Sequence, residues 1–340
     1  MNKICVKKTH LFLIIIIVFF IGLVSIIKSL NSKNFSYDTK ADTVKSPNNI
    51  VGGQPAQSGE WPFTVFLYDK KFLDSHHFEI PSFSDITYIT QDAIGGADCA
   101  GTLIDKRWVL TAAHCLYNYN VSIDQKKSIE SIKKPEDMGI AVGFNDTHEN
   151  ILETEWNNRF LDVEAFYQYG DFAYSISHGL DFQDIALIKL KSNANYPTIS
   201  LTNQFDLTLP GKKVCAIGWG TTSTNIFNVA FSRYLNKVSL NISNLPVNSN
   251  SSSSIKYYHQ YFMSVNDPGG KSTCEGDSGG PALTHDQNNK KWLQVGIISA
   301  GNQKCTIGQF TNVTAYTTWI EQITGIKINM GTFSNNPNCF

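Results

Sequence analysis

Short apolar runs separated by turn residues dominate the pattern of this 340-residue chain. Each run has the length of a strand, and glycines or polar clusters divide one run from the next. The clearest runs are residues 63–68, 100–104, 108–111, 140–144, 185–190, 214–218, 294–299 and 308–313. Helical spacing of apolar residues is almost absent before Thr314, and residues 315–328 show it. The pattern therefore predicts an all-β fold, a sandwich or barrels, that ends in a helix.

Residues 11–27 form a different kind of segment, an uncharged apolar run with lysines on both sides. Its position and flanks argue against a buried core helix. It is longer than a typical signal-peptide core and at the short limit for a membrane-spanning helix, so signal peptide and signal anchor both stay open. No clear small-x-small cleavage site follows, which slightly favours the anchor. Either places the rest of the chain outside the cytoplasm, and an anchor would leave residues 1–10 as a basic cytosolic end. The polar residues 28–49 are predicted to form a flexible stem or propeptide.

The charge balance argues against a nucleic-acid partner. The formal net charge is −1, and no basic stripe stands out. No motif for a metal ion or a cofactor is evident either, so neither is expected. A hydrophobic share of 42% suffices for an ordinary core.

A glycine-flanked serine is the strongest candidate for chemistry. Residues 276–281 read Gly-Asp-Ser-Gly-Gly-Pro, and glycines beside Ser278 would let backbone N–H groups approach a reacting carbonyl. A serine hydroxyl needs a neighbouring base near neutral pH. His114, in the Thr-Ala-Ala-His-Cys run at 111–115, is the candidate base, and Asp184 opens an apolar run from which a carboxylate could orient the imidazole.

The order of these residues along the chain separates two folds. The serine motif also fits the G-x-S-x-G elbow of α/β-hydrolases, which requires the serine before the acid and the histidine. Here His114 and Asp184 precede Ser278, and only His285 follows it, too near in sequence to return from a distant loop. The elbow interpretation therefore fails.

Together with Ile-Val-Gly-Gly at residues 50–53, these segments resemble the chymotrypsin/trypsin family of serine proteases from residue 50 to about residue 320. The resemblance implies two packed six-stranded β-barrels with a C-terminal helix over residues 50–328, followed by a tail at 329–340. His114 and Asp184 would come from the first barrel and Ser278 from the second. Protein or peptide substrates and no cofactor are implied.

The resemblance also assigns supporting roles around the serine. The backbone N–H groups of Gly276 and Ser278 would form the oxyanion hole. Ser299 matches a family serine that contacts the aspartate and the substrate backbone.

The specificity pocket is expected to be neutral. Ser272 matches the pocket floor, and Gly301 and Gly308 match the wall glycines that leave a deep slot open. Because a buried cation needs a counter-charge, a serine floor favours a bulky apolar or aromatic residue before the cleaved bond over Lys or Arg. Two departures alter the pocket edge: Ala300 stands where the family usually has an aromatic residue, and the loop at 305–308 is short.

An activation switch is implied at Ile50. A freed amine on Ile50 would pair with the buried carboxylate of Asp277, so the full chain would be an inactive precursor. Asn49 stands where the family usually has Arg or Lys, so an activating protease of another specificity is needed. Because no cysteine lies between residues 28 and 49, this cut would release the body from any membrane anchor.

Disulfides are the default state of the seven cysteines in an exported chain. The resemblance implies two bridges, Cys99–Cys115 beside the histidine and Cys274–Cys305 beside the pocket.

Cys215 lacks the partner that the family usually provides, and Cys339 is the spare cysteine outside the apolar segment. We expect Cys215–Cys339, with free thiols or an intermolecular bridge as the alternatives. Cys5 is expected to pair with nothing.

Two segments, residues 70–96 and 117–137, look longer than the family norm, and the resemblance places both beside the cleft. They are either specificity loops or solvent-exposed additions.

The leading function is a serine endopeptidase. The alternative is a non-catalytic homologue that binds a partner, and the intact His114, Asp184 and Ser278 favour the enzyme.

Overall fold

The computed structural model describes residues 50–70, 86–88, 99–121, 127–147, 149–173, 183–221, 232–244, 260–286, 288–302, 304–328 and 339. The predictions for residues 1–49, for most of 70–96 and for nearly all of the tail lie outside these ranges. Within them, no helix has the length and apolar character needed to span a membrane.

Strands are the commonest secondary structure of the described residues. In the first half they are Gln54–Pro55 (β1), Thr64–Asp69 (β2), Ile86–Tyr88 (β3), Cys99–Asp105 (β4), Trp108–Thr111 (β5), Tyr117–Val121 (β6), Lys127–Ile132 (β7), Met138–Val142 (β8), Asn150–Leu152 (β9), Phe160–Gln168 (β10) and Ala186–Leu190 (β11). In the second half they are Ser200–Leu201 (β12), Lys213–Gly218 (β13), Asn236–Ser243 (β14), Phe262–Val265 (β15), Pro281–Asp286 (β16), Lys291–Gly301 (β17) and Gly308–Asn312 (β18). The helices are Glu153–Arg159 (α1) and Thr317–Thr324 (α2), with 3-10 turns at Ala113–Leu116, Pro135–Asp137, Phe205–Thr208 and Val313–Ala315.

The first barrel is a closed antiparallel sheet in the order β10-β11-β5-β4-β2-β8. Pairing of β10 with β8 closes it, with Leu161 opposite Ile140. Every residue of β5 is buried, as is every residue of β11 except Lys189. These two strands read as nearly continuous apolar runs because both of their faces are covered.

The second barrel runs in the order β14-β13-β16-β17-β18-β15, and pairing of β14 with β15 closes it. Two further short strands join this sheet: β1, from the first half of the chain, pairs with β14, and β12 pairs in parallel with β17. Phe66 of β2 stacks on Trp219, just after β13, with ring centroids 3.8 Å apart. The two closed six-stranded barrels confirm the predicted all-β architecture.

The C-terminal helix is shorter than the predicted span of residues 315–328. A 3-10 turn, Val313–Ala315, precedes α2, and the Asn312 side chain caps it by accepting from the Thr314 amide at 3.1 Å. The helix ends at Gly325, which adopts a left-handed φ of 75° and donates its N–H to the Glu321 carbonyl. Glycine adopts this conformation without a steric cost, which explains why the helix stops there.

Several short elements lie outside the two barrels. β6 and β7 form a two-stranded hairpin directly after the turn that carries His114, and β3 pairs with β9. The short helix α1 was not predicted, because its seven residues show no clear apolar stripe.

Candidate active site

His114 and Asp184 form a doubly hydrogen-bonded pair on the first barrel. Asp184 directly precedes Ile185 and β11 and is almost completely buried. One carboxylate oxygen accepts the His114 backbone N–H at 2.8 Å, and the other lies 2.8 Å from His114 Nδ1. The pair therefore fixes both the main chain and the ring of the histidine.

Asp184 also has partners on the second barrel. The Ser299 hydroxyl donates to the carboxylate, and Thr311 Oγ1 donates to the Asp184 carbonyl at 2.8 Å. Burial by itself raises the pKa of Asp184, but the charge of His114 and the hydrogen bonds from His114 and Ser299 outweigh it and hold the pKa below its usual range. An ionised carboxylate only accepts hydrogen bonds, so Nδ1 carries the proton and Nε2 is the basic nitrogen.

The serine loop spans the junction of the two barrels. The Ser278 carbonyl accepts the Ala100 N–H of the first barrel at 2.7 Å, and the Gly279 N–H donates to the Ile298 carbonyl of the second at 2.8 Å. Gly279 has a φ of 78°, and a Cβ there would lie 2.2 Å from the Ala100 carbonyl oxygen. Only glycine fits this position. The two hydrogen bonds place Ser278 between the two barrels.

Two backbone N–H groups beside the serine have no acceptor among the described residues. The amides of Asp277, Gly279 and Gly280 all donate to carbonyl groups of the protein, whereas those of Gly276 and Ser278 do not. Gly276 adopts a φ of 89°, which shapes this turn. Unpaired amides are scarce in folded proteins, so a pair of them marks a place where an anionic oxygen can bind.

The serine hydroxyl and the histidine are not yet joined. Within the described part of the chain Ser278 Oγ makes no hydrogen bond, and His114 Nε2 lies 3.9 Å from Cys99 Sγ. Catalytic hydrogen bonds are often loose without substrate and tighten in the complex. Both groups are therefore available to a ligand in the cleft.

Three disulfides tie the described residues together: Cys99–Cys115, Cys274–Cys305 and Cys215–Cys339. The first follows His114 directly and the second borders the serine loop. The third joins β13 to the C-terminal segment. Cys99, His114 and Cys115 also form a cluster of the kind that can bind a metal, but both sulfurs are in the disulfide and offer no thiolate.

The predicted pocket residues lie around one end of β18. Ser272 is fully buried, and its hydroxyl donates to the Thr273 carbonyl at 3.1 Å. A Cβ on Gly308 would lie 2.7 Å from a Val265 methyl group and 3.2 Å from Thr273 Oγ1, whereas one on Gly301 would meet the Ile307 carbonyl at 3.0 Å. Sequence reasoning did not single out Thr273. Its adjacency to the predicted floor residue was the one available signal.

The residues assigned to the activation switch are both buried. Ile50 lies in the core of the second barrel, and its neighbour Val51 forms a bridge with Ser272, in the segment that leads to Asp277. The Asp277 carboxylate accepts the N–H groups of Gly220 at 2.8 Å and Cys274 at 2.9 Å. Burial raises the pKa of Asp277 to about 7 despite these two hydrogen bonds, and no cationic side chain of the described residues pairs with it.

Tyr119 is a neighbour of the site that the sequence did not reveal. Its hydroxyl donates to the His114 carbonyl at 3.2 Å, and 36% of the residue is exposed. No motif marks it, although the contact spans only five residues.

Two closed barrels, with a His–Asp pair on one and a glycine-flanked serine on the other, define a trypsin-like domain. Residues 50–320 match the protein family described as Trypsin, and the chain belongs to that family. It is similar to the CLIP domain-containing serine protease B4 of Anopheles gambiae, with 28% identity over 294 residues that cover 82% of this chain and 71% of that protein. It is also similar to the CLIP domain-containing serine protease B8 of the same organism, with 28% identity over 293 residues that cover 81% of this chain and 66% of that protein. The chain thus spans about two thirds of the length of the second relative.

Proposed function

We propose that this chain is a serine endopeptidase that cleaves peptide bonds through an acyl-enzyme. The observation that carries the proposal is the state of the serine loop. Among the described residues, the Ser278 hydroxyl and the two amides of Gly276 and Ser278 have no partner, while the neighbouring amides are bonded within the protein. Gly276 and Ser278 are partly exposed, so these groups are free to bind a substrate carbonyl.

The mechanism assigns one role to each polar group. Ser278 Oγ attacks the scissile carbonyl, and His114 Nε2 removes its proton and then delivers it to the leaving amine. Asp184 stays ionised and holds the imidazolium that forms. The amides of Gly276 and Ser278 receive the oxyanion, where one such donor is typically worth about 3 kcal/mol. Water then hydrolyses the acyl-enzyme in the same geometry.

We propose a preference for a bulky apolar residue before the cleaved bond. Ser272 and Thr273 are neutral, and the Ser272 hydroxyl is already bonded to a backbone carbonyl. A buried Lys or Arg side chain of a substrate would find no carboxylate in them, which disfavours it. A substrate library in which Arg is preferred at this position would refute this assignment.

We further propose that the chain is a precursor activated by cleavage between Asn49 and Ile50. The freed amine would provide the cation that the buried Asp277 carboxylate lacks, and the segment from Ile50 to Val51 already packs against the second barrel. Asparagine before the cut calls for an activating protease other than a trypsin-like one. N-terminal sequencing of active protein should begin at Ile50, and full activity from another start would contradict the switch.

The compartment follows from the cysteines. Three disulfides in one domain fit an oxidising environment, so we propose an extracellular catalytic domain. Membrane attachment through residues 11–27 is part of this proposal. Detection of residues 1–27 on the mature protein of intact cells would support an anchor over a cleaved signal peptide.

A fluorophosphonate probe tests the central proposal directly, because it reacts with activated serine hydroxyls. The chain is cut before Ile50 and then exposed to the probe. We expect labelling of the cut chain and none of its Ser278→Ala variant. A properly folded cut chain that neither labels nor cleaves peptides would instead support a non-catalytic homologue.

A further inference from the structure

The chain contains six Asn-x-Ser/Thr sequences, which begin at Asn34, Asn120, Asn145, Asn241, Asn250 and Asn312. Such a sequence is the acceptor for N-linked glycosylation in an exported protein. A chain rich in Asn, Ser and Thr contains several of them by chance, so the motif alone identifies no modified residue. An attached oligosaccharide is bulky and must extend into solvent, so the fold can discriminate between the copies. The structure describes three of these side chains, those of Asn145, Asn241 and Asn312.

Asn312 is fully buried, and the fold uses both ends of its amide. The side-chain oxygen accepts from the Thr314 N–H at 3.1 Å and from the Thr314 hydroxyl at 2.7 Å. The side-chain nitrogen, the atom that would carry an oligosaccharide, donates to Thr208 Oγ1 at 2.9 Å. The folded domain therefore has no room for a sugar at Asn312.

Asn145 is enclosed as well. Its side-chain oxygen is shielded from solvent and has no partner among the described residues. Thr147, the third residue of its acceptor sequence, is only 3% exposed. An amide enclosed in this way leaves little space for a sugar on its nitrogen.

Asn241 differs because it lies on the outer face of the second barrel. Side chains alternate between the two faces of a strand. The core of the second barrel contains the neighbouring β14 residues of the opposite parity, Val238, Leu240 and Ile242. Asn241 and Ser243, the first and third residues of the acceptor sequence, therefore both face outward, and both are partly exposed.

The surroundings of Asn241 leave its amide accessible. The residue opposite it on β13, Lys213, is exposed, and so is Asn244, which directly follows the acceptor sequence. Among the described residues the side-chain amide of Asn241 has no hydrogen-bond partner, whereas its backbone carbonyl accepts the Asn266 N–H at 3.2 Å. The main chain is thus held in the sheet while the side-chain nitrogen is free to carry a substituent.

Asn241 also lies at the far end of β14 from the candidate active site. At the near end Asn236 pairs with Gly218, and a Cβ on Gly218 would lie 2.1 Å from a carboxylate oxygen of Asp277. The five residues of strand between Asn236 and Asn241 span about 17 Å. A substituent on Asn241 therefore leaves the serine loop uncovered.

We propose that Asn241 carries an N-linked oligosaccharide. Asn241 Nδ2 displaces the diphosphate of a lipid-linked oligosaccharide donor. A bond forms between Nδ2 and C1 of the first sugar, the C1–O bond breaks, the diphosphate leaves with the bonding electrons, and the amide nitrogen loses one proton. This inference rests on the extracellular compartment given under the proposed function and does not depend on peptidase activity.

Site mapping on the full chain, made in the secretory pathway of cultured eukaryotic cells, tests the proposal. An amidase that removes N-linked oligosaccharides converts the attached asparagine to aspartate, and in heavy-oxygen water the new aspartate is identified by peptide mass spectrometry. We expect this label at Asn241. An unmodified Asn241 in an exported, disulfide-bonded chain, or modification of Asn145 or Asn312 in its place, would refute the proposal.

Substitutions in the acceptor sequence give an independent readout. Asn241→Gln and Ser243→Ala should each remove one oligosaccharide and lower the mass of the chain by the same amount, whereas Ser243→Thr should retain it. Asn244→Gln is the matched control, since Asn244 is exposed and adjacent but begins no acceptor sequence, and its oligosaccharide mass should not change. A Ser243→Ala chain that is still modified at Asn241 would contradict the assignment.

Fluorophosphonate labelling of the cut chain separates this inference from the proposed function. We expect the Asn241→Gln variant to label at the rate of the parent, and a changed rate would contradict the placement of the oligosaccharide away from the cleft. A modified parent chain that neither labels nor cleaves peptides would refute the endopeptidase and leave this inference standing. A chain that lacks both the disulfides and the oligosaccharide would refute the extracellular compartment and this inference together.

Discussion

Cleavage before Ile50 is expected to change how the stability of the domain depends on pH. In the uncut chain the Asp277 carboxylate is fully buried with two backbone N–H donors and no cation among the described residues. The cut creates an ammonium group at Ile50 and a carboxylate at Asn49, and only the ammonium group stays on the domain. Any difference between the two forms in pH dependence therefore reports on this pair.

The magnitude follows from the pKa of Asp277. It rises from 3.8 to about 7 in the uncut fold, and this difference is worth about 4 kcal/mol. Because the folded state binds the proton more tightly than the unfolded state, the stabilising contribution is fully present below the unfolded value and is lost as the pH rises to about 7. In the cut chain the ammonium group should keep the carboxylate ionised, and this loss should disappear.

Urea unfolding of both forms at about pH 4 and about pH 8 measures the effect. The Ser278→Ala background prevents self-digestion. We expect the uncut chain to lose about 4 kcal/mol more than the cut chain over this range. A third form, which begins with one extra methionine before Ile50, displaces the ammonium and should behave like the uncut chain. Parallel profiles for the cut and uncut chains would refute the proposed pairing.

Three further substitutions test other parts of the site. Ser299→Ala removes a hydrogen bond to the ionised Asp184, a contact of a kind worth about 1.5–3 kcal/mol, and should lower kcat/KM for peptide substrates about tenfold or more; an unchanged value would contradict the role. Gly218→Ala would place a Cβ 2.1 Å from a carboxylate oxygen of the buried aspartate before the nucleophile, so fluorophosphonate labelling should be lost, and retained labelling would show that the loop can move aside. Replacing Cys215 and Cys339 together with alanine should lower the free energy of unfolding by about 2–5 kcal/mol in denaturant titrations, while labelling persists; an unchanged value would mean that the bridge adds no stability.

The sequence pattern predicted the strands that consist almost entirely of apolar residues. Residues 108–111 coincide with β5, and residues 214–218 fall within β13, because both are nearly continuous apolar runs. The pattern did not single out β14, which carries a polar residue at most alternate positions. Its Lys237 is buried by tertiary contacts instead: it pairs with Gln54 of β1 and its ammonium donates to Glu60 at 2.6 Å. No local pattern contains such partners.

The residues of the candidate site also fall into two groups, those that local motifs predict and those whose role depends on distant contacts. The histidine, the aspartate and the serine were found from motifs, since each lies in a short run with characteristic neighbours. Thr311, which donates to the Asp184 carbonyl from 127 residues away, depends on how β18 of the second barrel meets the first barrel. Contacts of this kind arise only when distant strands pair, so the sequence alone gave no signal for them.

Asp184 and Asp277 are both buried at the candidate site, but their pKa values shift in opposite directions. The difference points to a positive charge that Asp277 lacks in the uncut chain. Asp184 and Asp277 both experience burial that raises the pKa. At Asp184 the charge of His114 and the hydrogen bonds from His114 and Ser299 together outweigh burial, so the pKa of that carboxyl is held below its usual range. Asp277 has hydrogen bonds but no charge partner, and its pKa stays near neutrality. Among the described residues no cation pairs with Asp277, and we expect the ammonium group freed at Ile50 to supply it.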